Sequence, residues 1–256
     1  MKGVVLAAGK GTRLYPLTKC IPKVLLPVYD VPMIHFALDF MKRSKVDEVA
    51  IVISREDEVL MKKILNDGFN YGLKIEYFIQ EEPNGTAGAL KVAASFIKNE
   101  DVLLYYGDNV LLGRDIDKLI EEGKANLEKG FASLLAYEVE NPSSYGVLEI
   151  DSDNKIVSLE EKPVVPKSSL IAPGVYFYPK DVVDKLEEID LSPRGEYEMT
   201  DVNDLYLKES RLLAIKVPST VVWYDTGNAD VLLQAANDYK KMKGEEWFTH
   251  EKDNTK

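Results

Sequence analysis

One cysteine (Cys20) and two histidines (His35 and His250) are all that 256 residues offer of these side chains. No intramolecular disulfide and no cysteine-built metal site can form. A histidine zinc site or a Ser–His triad has little material to work with. A lone thiol suits a reducing compartment, so a cytoplasmic location is expected. Long apolar runs are missing too: no stretch approaches the ~18 residues of a membrane-spanning helix, and MKGVVLAAGKG is too short for a signal peptide. Nor is there a surplus of positive charge. Asp and Glu number 43 against 32 Lys and Arg, for a formal net charge of −11 and a pI near 4.9. Nucleic acid and membrane surfaces are therefore not expected as partners. An acidic chain that binds phosphates must concentrate its cations locally, which directs attention to a few lysines and arginines.

What the chain does have is an ordinary soluble composition, 45% hydrophobic and 29% charged. Its first half alternates strand-like and helix-like segments. KGVVLAA (2–8), DEVAIVIS (47–54), IEYFIQ (75–80) and DVLLYYGD (101–108) read as strands. Helical spacing recurs over 32–45, 58–66, 86–98 and 115–127. That rhythm implies βαβ units. After about residue 130 it changes. FASLLAYEV, YGVLEID, KIVSLEEK and IAPGVYFYP follow closely with turn signals between them, which suggests antiparallel strands added to the sheet. Helices over 181–189 and 200–210, strands LLAIKVP and TVVWYD, and an amphipathic helix over 228–243 complete the pattern. The expected fold is α/β: a Rossmann-like, mixed but mostly parallel sheet flanked by helices. One domain is expected over 1–243, with a polar, frayed tail over 244–256.

The stretch LAAGKGTRL (6–14) follows the first strand directly. A P-loop requires Lys-[Ser/Thr] after its second glycine, and a dinucleotide fingerprint requires a third glycine where Leu14 stands; neither fits. Gly9 and Gly11 nevertheless allow close backbone approach and aim amide groups at an anion, while Arg13 and Lys23 add cationic donors. The plain alternative is a tight turn with two solvated cations. Asp108 ends an apolar strand in YYGDN, Asp225 ends another in VWYDTG, and two such carboxylates are a reasonable Mg²⁺ pair. Glu161 and Lys162 in SLEEKP could be an ion pair on a strand surface. Gln80 offers one amide donor and one acceptor, which match the edge of thymine or uracil, and Gly85 would let backbone approach that base.

LAAGKGTRLYPLT followed by PKVLLPV, together with YGDN, SSYGVLEID, SLEEKP, PRGEYEMTDVN and WYDTG, resembles the sugar-1-phosphate nucleotidylyltransferases over residues 1–240, most closely the thymidylyl branch. The resemblance implies the nucleotide-diphospho-sugar transferase fold and a reaction of dTTP or UTP with glucose 1-phosphate. It implies that Leu6, Ala8, Gly9, Gly11, Thr12, Arg13, Lys23, Gln80, Gly85 and Asp108 hold the nucleotide, and that Asp108 and Asp225 hold Mg²⁺. Glu161 is then matched to sugar hydroxyls, Lys162 and Arg194 to the sugar phosphate, and Asn109, Gly146 and Ala172 to the rest of the sugar subsite. Arg13, Lys23 and Lys162 become the catalytic cations. More than one subunit is implied as well.

Two positions depart from the thymidylyl pattern. Val24 stands where that branch commonly has Gln, and Thr86 follows Gly85 where it tends to have Leu. Both lean toward uridylyltransferases, so the base stays open between thymine and uracil. A catalytically silent nucleotide-sugar sensor should have lost cations or carboxylates, and Arg13, Lys23, Asp108, Lys162 and Asp225 are all present. The family's thymidylyl enzymes carry a further C-terminal helical segment tied to product inhibition. This sequence stops soon after 243, so such feedback is not expected.

Overall fold

A computed structural model describes residues 1–244. In chain order its strands are β1 (Lys2–Leu6), β2 (Pro27–Val28), β3 (Val31–Pro32), β4 (Glu48–Ile53), β5 (Lys74–Ile79), β6 (Val102–Tyr106), β7 (Asn109–Gly113), β8 (Ala132–Glu138), β9 (Gly146–Ile150), β10 (Ile156–Glu161), β11 (Leu170–Ile171), β12 (Val175–Tyr178), β13 (Leu212–Lys216) and β14 (Val221–Asp225). The helices are α1 (Ile34–Arg43), α2 (Glu58–Leu65), α3 (Thr86–Val92), α4 (Ala94–Ile97), α5 (Ile116–Glu128), α6 (Val182–Glu188), α7 (Met199–Lys208) and α8 (Ala229–Met242).

Ten strands form one sheet, ordered β10-β9-β11-β8-β12-β6-β1-β4-β5, with β13 paired to β8. β5, β4, β1 and β6 run parallel. β12 enters antiparallel between β6 and β8, and β9, β10 and β11 extend the sheet antiparallel beyond it. The mixed α/β expectation is met, and the change of rhythm near residue 130 marks where antiparallel pairing begins. The short runs of the first half are apolar throughout because both faces are covered. Val5, Ile51 and Leu103 face α1, α2 and α5. Val4, Val52 and Leu104 face α3, α6 and α7. A third cluster lies under α8 and joins Phe36, Val110, Tyr224 and Tyr239.

Three local expectations are revised. The helix expected over 86–98 is two pieces, since the Ala93 amide bonds the carbonyl of Leu90, three residues back, and the chain tightens there. The helix expected from Pro32 starts at Ile34, because Val31–Pro32 pairs with Pro27–Val28 instead. NVLLG, not assigned from sequence, is β7, whose antiparallel partner is β14. The frayed tail expected after 243 lies, beyond Gly244, outside the described residues.

Candidate active site

Strand order reverses beside β1. The chain leaving β1 turns toward β4 and β5, then returns across the sheet to β6 on the other side. Open α/β sheets bind ligands at such a reversal, outside the carboxyl ends of the strands. The glycine loop leaves β1 there, and Asp108 follows β6.

Gly11 sits at φ +59°, in the left-handed region that favours glycine. Its carbonyl accepts from Leu14 N (2.9 Å) and Thr18 Oγ1 (2.7 Å). A Cβ there would press at 3.0 Å on Thr18 and on the stem of Lys23, so the loop is packed directly against the lysine segment. At Gly9 the space a Cβ would enter is empty within 4 Å, which leaves that side open to a ligand. Lys23 begins a short 3₁₀ turn, is buried, and places Nζ 2.5 Å from Asp108 Oδ2. Arg13 lies over Gly227, where any side chain would overlap its guanidinium, and its Nη2 is 3.8 Å from Asp225 Oδ2.

Pairing of β14 with β7 sets Asp225 opposite Asn109, so the two sequence-distant carboxylates become neighbours. Thr226 fixes the main chain at this junction: its hydroxyl donates to the Asp108 carbonyl at 2.6 Å. Burial pushes the Asp225 carboxyl above the usual carboxylate range, and the negative charge of Asp108 adds to that. Lys23 and Arg13 oppose it without cancelling it. Two neighbouring carboxylates, one of them raised by burial and by the charge of the other, suit a hard divalent cation. Among the described residues no group of three or more His, Cys, Asp or Glu could hold a metal. The rest of a shell around Asp108 and Asp225 would therefore come from water and substrate phosphates, which is how Mg²⁺ is usually held.

A cavity of about 540 Å³ extends from this pair to the second half of the sheet. Its wall includes Arg13, Asp108 and Asp225 together with Gly146, Glu161 and Lys162 from β9, β10 and the turn after it, and Asn109 and Ala172 as well. Lys162 adopts φ +46°, a left-handed conformation that costs a non-glycine residue on the order of 1–3 kcal/mol, and its amide donates to Tyr145 O at 3.0 Å. Its ammonium is 3.4 Å from Glu161 Oε1. Thr200 Oγ1 donates to Glu161 Oε2 at 2.6 Å. The Ala172 amide donates to Gly146 O at 3.0 Å, so these two form a backbone floor.

Other candidates lie off the cavity wall. Leu6 closes β1, and Ala8 and Thr12 flank the glycines of the loop. Gln80 follows β5, and its amide nitrogen donates to Asn84 Oδ1 (2.9 Å) and Gly85 O (3.2 Å). Gly85, at φ +99°, is required because a Cβ would overlap the Tyr197 carbonyl. Arg194 is engaged by three carboxylates, Glu196 (3.1 Å), Glu198 (3.3 Å) and Glu161 (3.6 Å). Val24 is core, 3% exposed and packed over Gly107, so it does not face the crevice. Thr86 does line the cavity.

Sequence reasoning passed over Tyr145 and Trp223, although both stand inside motifs it singled out. Tyr145 OH donates to Asp225 Oδ2 at 3.4 Å, and its ring meets Trp223 edge-on at 5.4 Å between centroids. Adjacency to Gly146 and Asp225 was the available signal.

A doubly covered α/β sheet with two cation–carboxylate pairs on the wall of one cavity suits a nucleotide-handling transferase. The family model described as nucleotidyl transferase matches residues 2–242, and the chain belongs to that family. Among curated relatives, the glucose-1-phosphate thymidylyltransferase of Mycolicibacterium smegmatis is 39% identical over 93% of this chain and 81% of its own. That of Neisseria meningitidis is 37% identical over 93% and 82%. A Bacillus anthracis structure in complex with sucrose, titled as a proposed glucose-1-phosphate thymidylyltransferase, superposes with a TM-score of 0.87 at 34% identity, covering 97% of this chain and 98% of that one. A UDP-glucose pyrophosphorylase complexed with UDP-glucose gives 0.82 at 26%, over 94% and 98%.

Proposed function

We propose that the chain transfers a thymidylyl group from dTTP to α-D-glucose 1-phosphate, giving dTDP-glucose and pyrophosphate. The carrying observation is one cavity whose wall holds two cation–carboxylate pairs, Arg13 with Asp225 and Lys162 with Glu161. Two anions must be held together before they can react, and neither would share a cavity without local cations.

A phosphate oxygen of glucose 1-phosphate attacks the α-phosphorus in line. The bond from that phosphorus to the bridging oxygen breaks, and the electron pair leaves with pyrophosphate. The attacking oxygen is already anionic, so no side chain need act as base. The loop over 8–12 turns its amides to the triphosphate, and Gly9 admits it. Arg13 and Lys23 meet the negative charge that grows on the α-phosphate and leaving group. Lys162, held in a left-handed turn, orients the sugar phosphate, with Arg194 once it releases its carboxylates. Glu161 accepts from sugar hydroxyls above the Gly146–Ala172 floor, with Asn109 beside it. Gln80 has its amide nitrogen committed to the loop, which leaves Oε1 to accept from N3–H of the pyrimidine. Asp108 and Asp225 would hold Mg²⁺, which when bound neutralises phosphate charge.

A second reading, with UTP in place of dTTP, is favoured by Thr86 on the cavity wall. Residues 1–243 act as one nucleotidylyltransferase domain on either reading, and its work is placed in the cytoplasm. Among the described residues no helix is long and apolar enough to cross a membrane.

Pyrophosphate release is the test, with Mg²⁺, glucose 1-phosphate, and dTTP, UTP, CTP, ATP or GTP side by side. A dTTP preference is expected. Equal or better rates with UTP move the base assignment, and no release with any sugar phosphate refutes catalysis.

A further inference from the structure

Trp223 is 8% exposed, and its ring is set between Tyr137 and Tyr145, with centroids 5.6 and 5.4 Å away. Its Nε1–H donates to Asn109 Oδ1 at 2.5 Å. An indole nitrogen can only donate, so the amide of Asn109 is fixed with its oxygen toward Trp223 and its NH₂ the other way. That NH₂ donates to Asp108 Oδ1 at 3.1 Å and reaches Tyr106 O at 3.4 Å. The second oxygen of Asp108 is held by Lys23 at 2.5 Å. Donors from two sides thus set the plane of this carboxylate, and one of them is oriented by a tryptophan that does not touch it.

We propose that Trp223 is a positioning residue for Asp108, acting through the amide of Asn109. Without the indole N–H, Asp108 Oδ1 and Tyr106 O still select the NH₂ end of the amide, but the donor that holds its oxygen is lost and the amide is free to tilt away from Asp108. Asp108 would then lean on Lys23 alone and present its free lone pairs less well to a cation. Groups that orient metal-binding side chains in this way commonly affect metal affinity by about 10–100-fold. The inference rests on the proposed function for the identity of the cation and nucleotide, but the hydrogen-bond relay can be tested apart from it.

The experiment compares the wild type with W223F, which keeps an aromatic ring without the donor, and W223H, whose ring keeps an N–H. Binding of dTTP is measured by titration calorimetry in Mg²⁺ and again in EDTA, with thermal melting as a check on folding. W223F is expected to lose about tenfold of the affinity gained on adding Mg²⁺. Its affinity in EDTA should stay within about twofold, and W223H should recover most of the gain. A folded W223F with the full gain overturns the proposal, as does a W223H no better than W223F. If the wild type itself shows no Mg²⁺-dependent binding, the functional reading fails, and the ¹⁵N-indole spectrum then decides the relay. In that spectrum the Trp223 N–H resonance should move in N109L; an unmoved resonance overturns it.

Discussion

Asp225 and Lys23 carry opposite burdens at the centre of the site. Burial and the charge of Asp108 raise the Asp225 carboxyl above its ordinary value of 3.8. A raised acid binds its proton more tightly in the folded chain than in the unfolded one. Its contribution to stability is therefore fully present below pH 3.8 and lost as pH rises through the folded value. Asp225→Asn should raise the melting temperature at pH 7 and remove turnover, and the stability gain should shrink toward pH 4. A melting temperature unchanged at pH 7 would show that Asp225 carries no such strain. Lys23 is buried against Asp108, and in the mechanism we propose its ammonium meets charge on the α-phosphate. Lys23→Met, which keeps the stem, should lower kcat by about 10²–10³-fold, the scale for losing one transition-state donor; pyrophosphate release measures it. At this scale the sequence announced residue types and left their partners unstated. Gln80 and Arg194 were readable as donors, but not their engagement by Asn84 and by three glutamates.

Close approach between elements is bought with glycine at two places. Gly123 lets α5 lie on the sheet: a Cβ would enter the Phe177 ring. Gly123→Ala should destabilise the protein by about 1–3 kcal/mol in urea unfolding, with little effect on either KM, since neither Gly123 nor Phe177 lines the cavity. Gly85 has a different consequence. The loop that carries it is strapped to the arginine loop by Tyr197 N to Asn84 O (2.8 Å) and Ala87 N to Tyr197 O (3.0 Å). An added Cβ would collide with that strap. Gly85→Ala is therefore expected to raise KM for nucleotide and for sugar phosphate together, and an effect on one alone would show that the strap does not couple them. Elements of the first half were legible because apolar runs and helical spacing alternate there. NVLLG was not, because a run of three apolar residues so soon after a strand carries no period that separates a new strand from the old one.

For the whole molecule, the candidate site is divided between the two halves of the chain: the parallel half brings Arg13, Lys23 and Asp108, and the antiparallel half brings Glu161, Lys162 and Asp225. Lys162→Ala should consequently abolish turnover while dTTP binding, measured by calorimetry, stays within about threefold, half a kcal/mol being the usual size of crosstalk between separated sites. Loss of both would place Lys162 in the nucleotide subsite. Assembly remains our proposal: sedimentation velocity should show a multiple of the 28.8 kDa chain, and a 28.8 kDa species alone would overturn it. The sequence by itself determined the fold class, the glycine-spaced turn after the first strand, and the list of cations and carboxylates, because these depend on local period and side-chain chemistry. Only the tertiary structure decided which carboxylate faces which cation, that Val24 is core while Thr86 meets the cavity, and that Trp223 reaches Asp108 through Asn109. The last of these follows from the register of β14 on β7, a pairing of residues more than a hundred positions apart that no local pattern encodes.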